Sequence, residues 1–291
     1  MSKTSRYVLT LTAPDRAGLV ATVASFIADQ GGFITEANHH TDPREGTAFL
    51  RFAFQDAGQG AVKAALDISA LRTAFAPIAS TLGAGADFHD LSTPMPIVIA
   101  VSKFGHCLYD LLHRWKSGIL PVEIKAVISN HEDMRSFTEW HGLPYHYLPT
   151  SEGTKTDREA QIKTILTDTG SELLVLARYM QILSEDMCRH LSGQAINIHH
   201  SFLPSFKGAK PYSQAFERGV KMIGATAHYV TADLDEGPII EQAVERVDHS
   251  VSPGELVNIG RDTETVALSR AVRWHAERRV LLSGHRTVVF K

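Results

Sequence analysis

The densest run of residues able to do chemistry is Asn197-Ile198-His199-His200-Ser201-Phe202-Leu203-Pro204. It continues an apolar stretch, 195–198, that reads as a buried strand. Alternation along a strand puts Asn197 and His199 on one face while Ile198 points away, so an amide donor and an imidazole converge on a shared point. A second run, Thr226 to Pro238, sets acids just before a Gly237-Pro238 turn. Such a turn can present Asp235 to a cleft instead of to bulk water. The two runs together supply a donor, a histidine and a carboxylate, which suit oxyanion stabilisation and general-base chemistry. Taken singly they read more plainly: a lone His199 is more often a hydrogen-bonded structural histidine, and an acid before Gly-Pro is usually a turn acid. His199, His200, His228 and Asp235 also carry donor atoms that suit zinc or iron.

Apolar runs at 97–101, 122–128, 173–177 and 195–198 alternate with helical patterns near 108–115, 132–141, 156–169 and 184–191. Apolar strands separated by helices imply a parallel sheet covered on both faces, with ligands at the carboxyl ends of its strands. Both polar runs fall where such ends are expected. Ser252, Pro253 and Glu255 form a capping box with proline at the first helical position, and a helix over about 264–283 precedes a terminal strand.

Ahead of this half the order is βαββα. A strand at 6–12 leads to a helix carrying Leu19, Val23 and Phe26 that stops at Gly31-Gly32, and a strand starts at Phe33. Ala48, Leu50, Phe52 and Phe54 alternate in another strand, 61–81 reads as a helix, and a strand near Asp87 closes the unit. Between Leu82 and Pro96 the sequence turns to Gly, Ala, Ser and Pro. The expected division is therefore a domain at 1–85, a linker at 86–95 and a second domain at 96–291.

A chain of 291 residues is longer than a usual single core, which agrees with two domains. The net charge of −3 offers no basic field for nucleic acid or an acidic membrane, and favours a small-molecule partner. Cys107 and Cys188 have no metal-like spacing and point to a reducing compartment. Neither a signal-peptide pattern nor a run of ~18 apolar residues occurs, so the expected location is the cytoplasm.

Asn197-x-His199 with Leu203-Pro204, then Leu234-Asp235-Glu236-Gly237-Pro238, closely resemble the motifs of the folate-dependent formyltransferase and hydrolase family. Ala177-Arg178-Tyr179-Met180-Gln181-Ile182-Leu183 resembles that family's pterin-binding loop, and the likeness covers roughly 96–246. It implies that Asn197 and protonated His199 stabilise the oxyanion formed on attack at a formyl group, while Asp235 orients and deprotonates water. It implies further that Arg178, Tyr179, Met180, Gln181, Ile182 and Leu183 line a folate pocket, although an apolar stripe there could equally be core. His228 would support the centre, Leu203-Pro204 would be cis, and neither a metal nor a cofactor beside the folate substrate is expected.

Relatives that formylate glycinamide ribonucleotide carry a glycine-rich turn after the first strand of this half, where backbone amides can hold a phosphate. Here the loop reads Ser102-Lys103-Phe104-Gly105-His106-Cys107. One glycine remains and Phe104 and His106 add bulk, leaving water as the expected acceptor. Ala13 to Leu19, between the first strand and helix, resembles an ACT domain, a ferredoxin-like βαββαβ module that pairs with its own copy and binds amino acids. An effector near Asp15, Gly18 and Asn38 and a homo-oligomer, dimer or tetramer, follow from that resemblance. The overall expectation is an α/β protein in which this small module precedes a doubly wound, mostly parallel-sheet catalytic domain hydrolysing 10-formyltetrahydrofolate. A transferase using another amine, or a silent sensor of folate or amino acids, are the rival readings.

Overall fold

The computed structural model describes residues 5–56, 66–204 and 211–291. Alternating apolar positions near the amino terminus give β1 (Arg6–Pro14), and Gly18, at φ 90°, turns the chain into α1 (Leu19–Asp29). Then follow β2 (Gly32–Asp42), β3 (Thr47–Asp56), α2 (Ile68–Leu82) and β4 (Gly85–Asp90). They form an antiparallel sheet of order β2-β3-β1-β4. Leu9, Leu11, Leu50, Phe52, Phe54 and Phe88 on one face pack against Val23, Phe26, Leu71 and Phe75 of the two helices. The helix expected at 61–81 starts at Ile68, where Asp67 caps the amides of Ser69 and Ala70; 61–65 lie outside the described residues. Residues 85–90 are a strand and not part of a linker, because their alternation lets Phe88 and Asp87 pair with Leu9 and Thr10.

The chain divides into two compact units, Met1–Pro94 with Glu277–Leu281 and Val288–Lys291, and Met95–Ala276 with Leu282–Thr287. Parts of the carboxyl terminus thus belong to the first unit, against the expected 96–291 domain. The physical reason is Arg51, 1% exposed, which donates to the carbonyls of Glu277 and Arg278 at 3.0 and 3.1 Å and pairs with Glu36. Arg279 reaches the same Glu36 carboxylate at 2.8 Å.

The second unit opens with β5 (Met95–Val101), α3 (His106–Lys116), β6 (Val122–Ser129), α4 (Arg135–Trp140), β7 (Tyr145–Tyr147) and α5 (Lys155–Asp168). It continues with β8 (Leu173–Leu176), α6 (Glu185–His190), β9 (Ala195–His199), α7 (Pro211–Glu217), β10 (Met222–Tyr229) and β11 (Ile239–Arg246). The seven strands run in the order β11-β10-β9-β8-β5-β6-β7. Strands β9 to β7 in that order are mutually parallel, while β10 is antiparallel to both neighbours. One face of the parallel part, with Val98, Ala100, Ile128 and Leu174, packs on Ile162, Leu166 and Met187.

The long helix α8 (Pro253–Ala276) differs from the 264–283 expected. Ser252 and Glu255 cap each other's amides directly ahead of it, and Leu256, Gly260, Thr263, Glu264, Ala267, Leu268, Ala271 and Val272 carry one buried face along its length. It ends before Arg278, whose φ of 54° leaves the helical region. A two-stranded ribbon, β12 (Val280–Ser283) and β13 (Arg286–Val289), replaces the expected last turn and single strand. Among the described residues no helix is long and apolar enough to cross a membrane.

Candidate active site

Strand β9 brings Asn197 and His199 to one face, as alternation requires, and the antiparallel register pairs Asn197 with His228 and His199 with Thr226 on β10. Asn197 Nδ2 lies 3.2 Å from His228 Nε2, and His228 Nδ1 lies 2.9 Å from the Tyr229 carbonyl oxygen. The carbonyl can only accept, so Nδ1 carries the proton and Nε2 takes a hydrogen bond from the Asn197 amide. Burial depresses the His228 pKa, outweighing the backbone bond and the Asp235 charge that act the other way. His228 therefore holds Asn197 in place as a neutral ring.

After β10 the chain turns back toward β11, and at this turn Asp235 adopts φ 58°. Left-handed backbone is uncommon outside glycine, and Asp tolerates it better than most residues. Gly237 lets the turn close: a Cβ there would sit 1.7 Å from the Tyr229 carbonyl oxygen. The turn delivers Asp235 Oδ1 to 3.2 Å from His199 Nδ1 and 3.9 Å from His228 Nε2. Burial pushes the Asp235 pKa up, but the hydrogen bond and charge of His199, with the other two histidines, bring it below the usual carboxylate range. His199 Nε2 is buried and has no hydrogen-bond partner among the described residues.

These groups line a cavity of about 430 Å³. Every residue expected around the folate, Arg178 to Leu183 and His228, borders the same cavity with Asn197, His199, His200 and Asp235. Their roles within it differ: Tyr179 and Leu183 are buried in the core beneath, whereas Met180 and Ile182 are 55% and 63% exposed. Arg178 takes φ 65° where the segment leaves β8. Ser102 fixes that bend by donating its amide to the Arg178 carbonyl at 3.1 Å and accepting from the Met180 amide at 2.9 Å, while its hydroxyl donates to Asn130 at 2.6 Å. Leu203-Pro204 is cis, and the Leu203 amide donates to Thr226 Oγ1.

Residues 95–272 match the family model described as Formyl transferase. The chain is 50% identical, over its full length and that of the relative, to the formyltetrahydrofolate deformylase of Corynebacterium sp. (strain P-1). The chain belongs to the formyltetrahydrofolate deformylase family. A deformylase structure from Pseudomonas syringae pv. tomato superposes with a TM-score of 0.94 at 45% identity, covering 100% of this chain and 96% of that one. Glycinamide ribonucleotide transformylase 1 from Symbiobacterium toebii, at 29% identity and TM-score 0.65, covers only 68% of this chain and 95% of its own. The likeness to the deformylases thus extends over the amino-terminal unit as well.

Two expectations need revision against this deformylase framework. In the loop after β5, Lys103 and Phe104 are exposed, with the Arg261 guanidinium 5.5 Å above the Phe104 ring. Bulk turned inward comes from His106 instead, bonded at 2.8 Å to Glu264 on α8. In the first unit, Asp15 and Gly18 sit at one end of β1, with the Asp15 amide bonded to the Gly46 carbonyl. Asn38 lies within β2 opposite Arg51, which itself pairs with Thr10. At ~3.4 Å per residue that places Asn38 roughly 17 Å along the sheet from Asp15, so the three do not meet within one chain.

Glu264, Tyr212, Ser102 and Asn130 were absent from the expected site. A charged residue on the buried stripe of α8 was the signal for Glu264. His106, Cys107 and Glu264 together have the spacing of a metal group. Glu264 already accepts from His106 and Tyr212, and burial with the nearby Glu264 charge pushes the Cys107 thiol well up, so these groups are committed to one another.

Proposed function

We propose that this chain hydrolyses 10-formyltetrahydrofolate to formate and tetrahydrofolate in the cytoplasm. The observation that carries the reading is His199: one ring nitrogen is held by Asp235 at 3.2 Å, and the other is buried at the cavity without a partner among the described residues. Attack on a formamide builds negative charge on the formyl oxygen. Asn197 Nδ2 and a proton on His199 Nε2 donate to that oxygen, and each such donor contributes ~10²–10³ in rate. Asp235 accepts the proton of the attacking water as oxygen bonds to the formyl carbon. The carbon–nitrogen bond then breaks, N10 takes that proton from Asp235, and formic acid leaves, losing its remaining proton to solvent as formate. Burial would raise the Asp235 pKa, but the neighbouring histidines lower it and keep the carboxylate ionised for this role.

The folate occupies the cavity against the segment Arg178 to Leu183. Neither metal nor cofactor enters this scheme, and activity surviving exhaustive chelation tests that point. The test of the whole is formate release: one formate per tetrahydrofolate, with no amine added. Glycinamide ribonucleotide should neither accelerate the reaction nor become formylated, and transfer to it at a comparable rate overturns the hydrolase reading.

The first unit acts as an ACT-type regulatory module that self-associates and takes an amino acid near Asp15, Gly18 and Asn38. The separation of Asn38 from the other two within one chain favours a site completed by a second copy. An unchanged oligomeric state after deletion of residues 1–85 removes this reading.

A further inference from the structure

Arg178 borders the catalytic cavity, and its guanidinium faces a carboxylate of the same chain. Glu264, 1% exposed on α8, accepts from His106 Nε2 and from the Tyr212 hydroxyl, both at 2.8 Å, and stands 3.4 Å from Arg178 Nε. That nitrogen has no hydrogen-bond acceptor among the described residues, so its pairing with Glu264 is one of charge alone. The seat is built for this arrangement. One turn before Glu264, Gly260 makes room for Tyr212, since a Cβ there would fall 2.1 Å from the phenol ring. Burial alone would raise the Glu264 carboxyl, but the His106 hydrogen bond and the Arg178 charge hold it below its usual range.

We propose that Glu264 is a specificity-determining residue, an internal counter-anion that neutralises Arg178 and so closes the cavity to phosphate-bearing amines. The inference rests on the hydrolase reading and names the group that leaves water as acceptor. Arginine binds phosphate strongly through its paired donors. A carboxylate tethered beside it competes at a high effective concentration, and a dissolved phosphate must displace it. Water carries no charge and meets no such competition.

The experiment is inorganic phosphate binding to the full-length protein, by calorimetry and by inhibition of formate release. Glu264→Gln keeps the shape and leaves Arg178 without its counter-charge, so phosphate should bind at least tenfold more tightly than to the parent protein. Adding Arg178→Met should abolish the gain. Tyr212→Phe removes a hydrogen bond and keeps the charge, so it should show parental phosphate affinity. Folded Glu264→Gln with parental affinity, or a gain that persists without Arg178, overturns the proposal. If Glu264→Gln does not fold, Glu264→Asp draws the charge back by one methylene and should show a smaller gain; its absence is equally decisive. The calorimetric arm needs no turnover, so failure of the hydrolase reading would be visible separately.

Discussion

Asp235→Asn separates charge from shape at the centre of the proposed mechanism. Asn also tolerates the left-handed backbone that Asp235 adopts at φ 58°, so the turn should survive the change. What disappears is a negative charge 3.2 Å from His199 Nδ1 and the site that receives the water proton. At an effective dielectric of about 20, a carboxylate and an imidazolium at that distance attract by about 5 kcal/mol. The amide oxygen still accepts a hydrogen bond, which offsets about 1 kcal/mol. A net loss of about 4 kcal/mol corresponds to a roughly 10³-fold fall in kcat. The assay couples formate release to a formate-oxidising enzyme, with tetrahydrofolate binding and thermal unfolding measured in parallel. Folate affinity and unfolding temperature should stay close to the parent values. Formate release within tenfold of the parent, from a folded variant, refutes the role given to Asp235.

Asn197→Ala and His199→Ala should each cost ~10²–10³ in kcat, and the double variant less than the product, because both donors act on one oxyanion; single-turnover kinetics measures the shortfall. Gly237→Ala should cost at least ~10² in kcat and lower the unfolding temperature, since a Cβ 1.7 Å from the Tyr229 oxygen forces the Asp235 turn to move. His200 is held at a pKa of about 4, against an ordinary 6.5, chiefly by burial and then by the Arg178 charge. Between those pH values the unfolded chain binds the additional proton, so this ring withdraws stability as pH falls from 6.5 toward 4, by roughly 3 kcal/mol in all. His200→Gln should therefore flatten the acid limb of stability, read as urea midpoints at pH 7 and pH 4.5; a limb as steep as the parent's refutes it.

The pairing of Asn197 with His199 was legible because strand alternation is a local rule, and two residues apart suffices to state it. Asp235 was legible for a similar reason, since its turn chemistry lies within the adjacent Gly237-Pro238. Glu264 was not, because its meaning depends on which distant elements meet it: His106 is 158 residues away. Phe104 misled for the converse reason. Its size was visible, but its direction is set by the start of α3 and by Arg261, and both turn it toward solvent. In the fold, the capping box at Ser252 was read correctly, while the helix it opens was placed too late because Gly260, Thr263 and Glu264 interrupt an otherwise apolar stripe. The return of the carboxyl terminus to the first unit rests on a buried arginine, and strand patterning does not reveal a partner for it.

The sequence distance between His106 and Glu264 also orders events in time. During synthesis at ~5–20 residues per second, Glu264 leaves the ribosome roughly eight to thirty seconds after His106. By then Asn197, His199 and Asp235 have all emerged, while Arg178 still lacks its counter-charge. A nascent chain therefore presents its reactive side chains before the helix that carries Glu264, and Arg178 gains its counter-charge only when α8 docks.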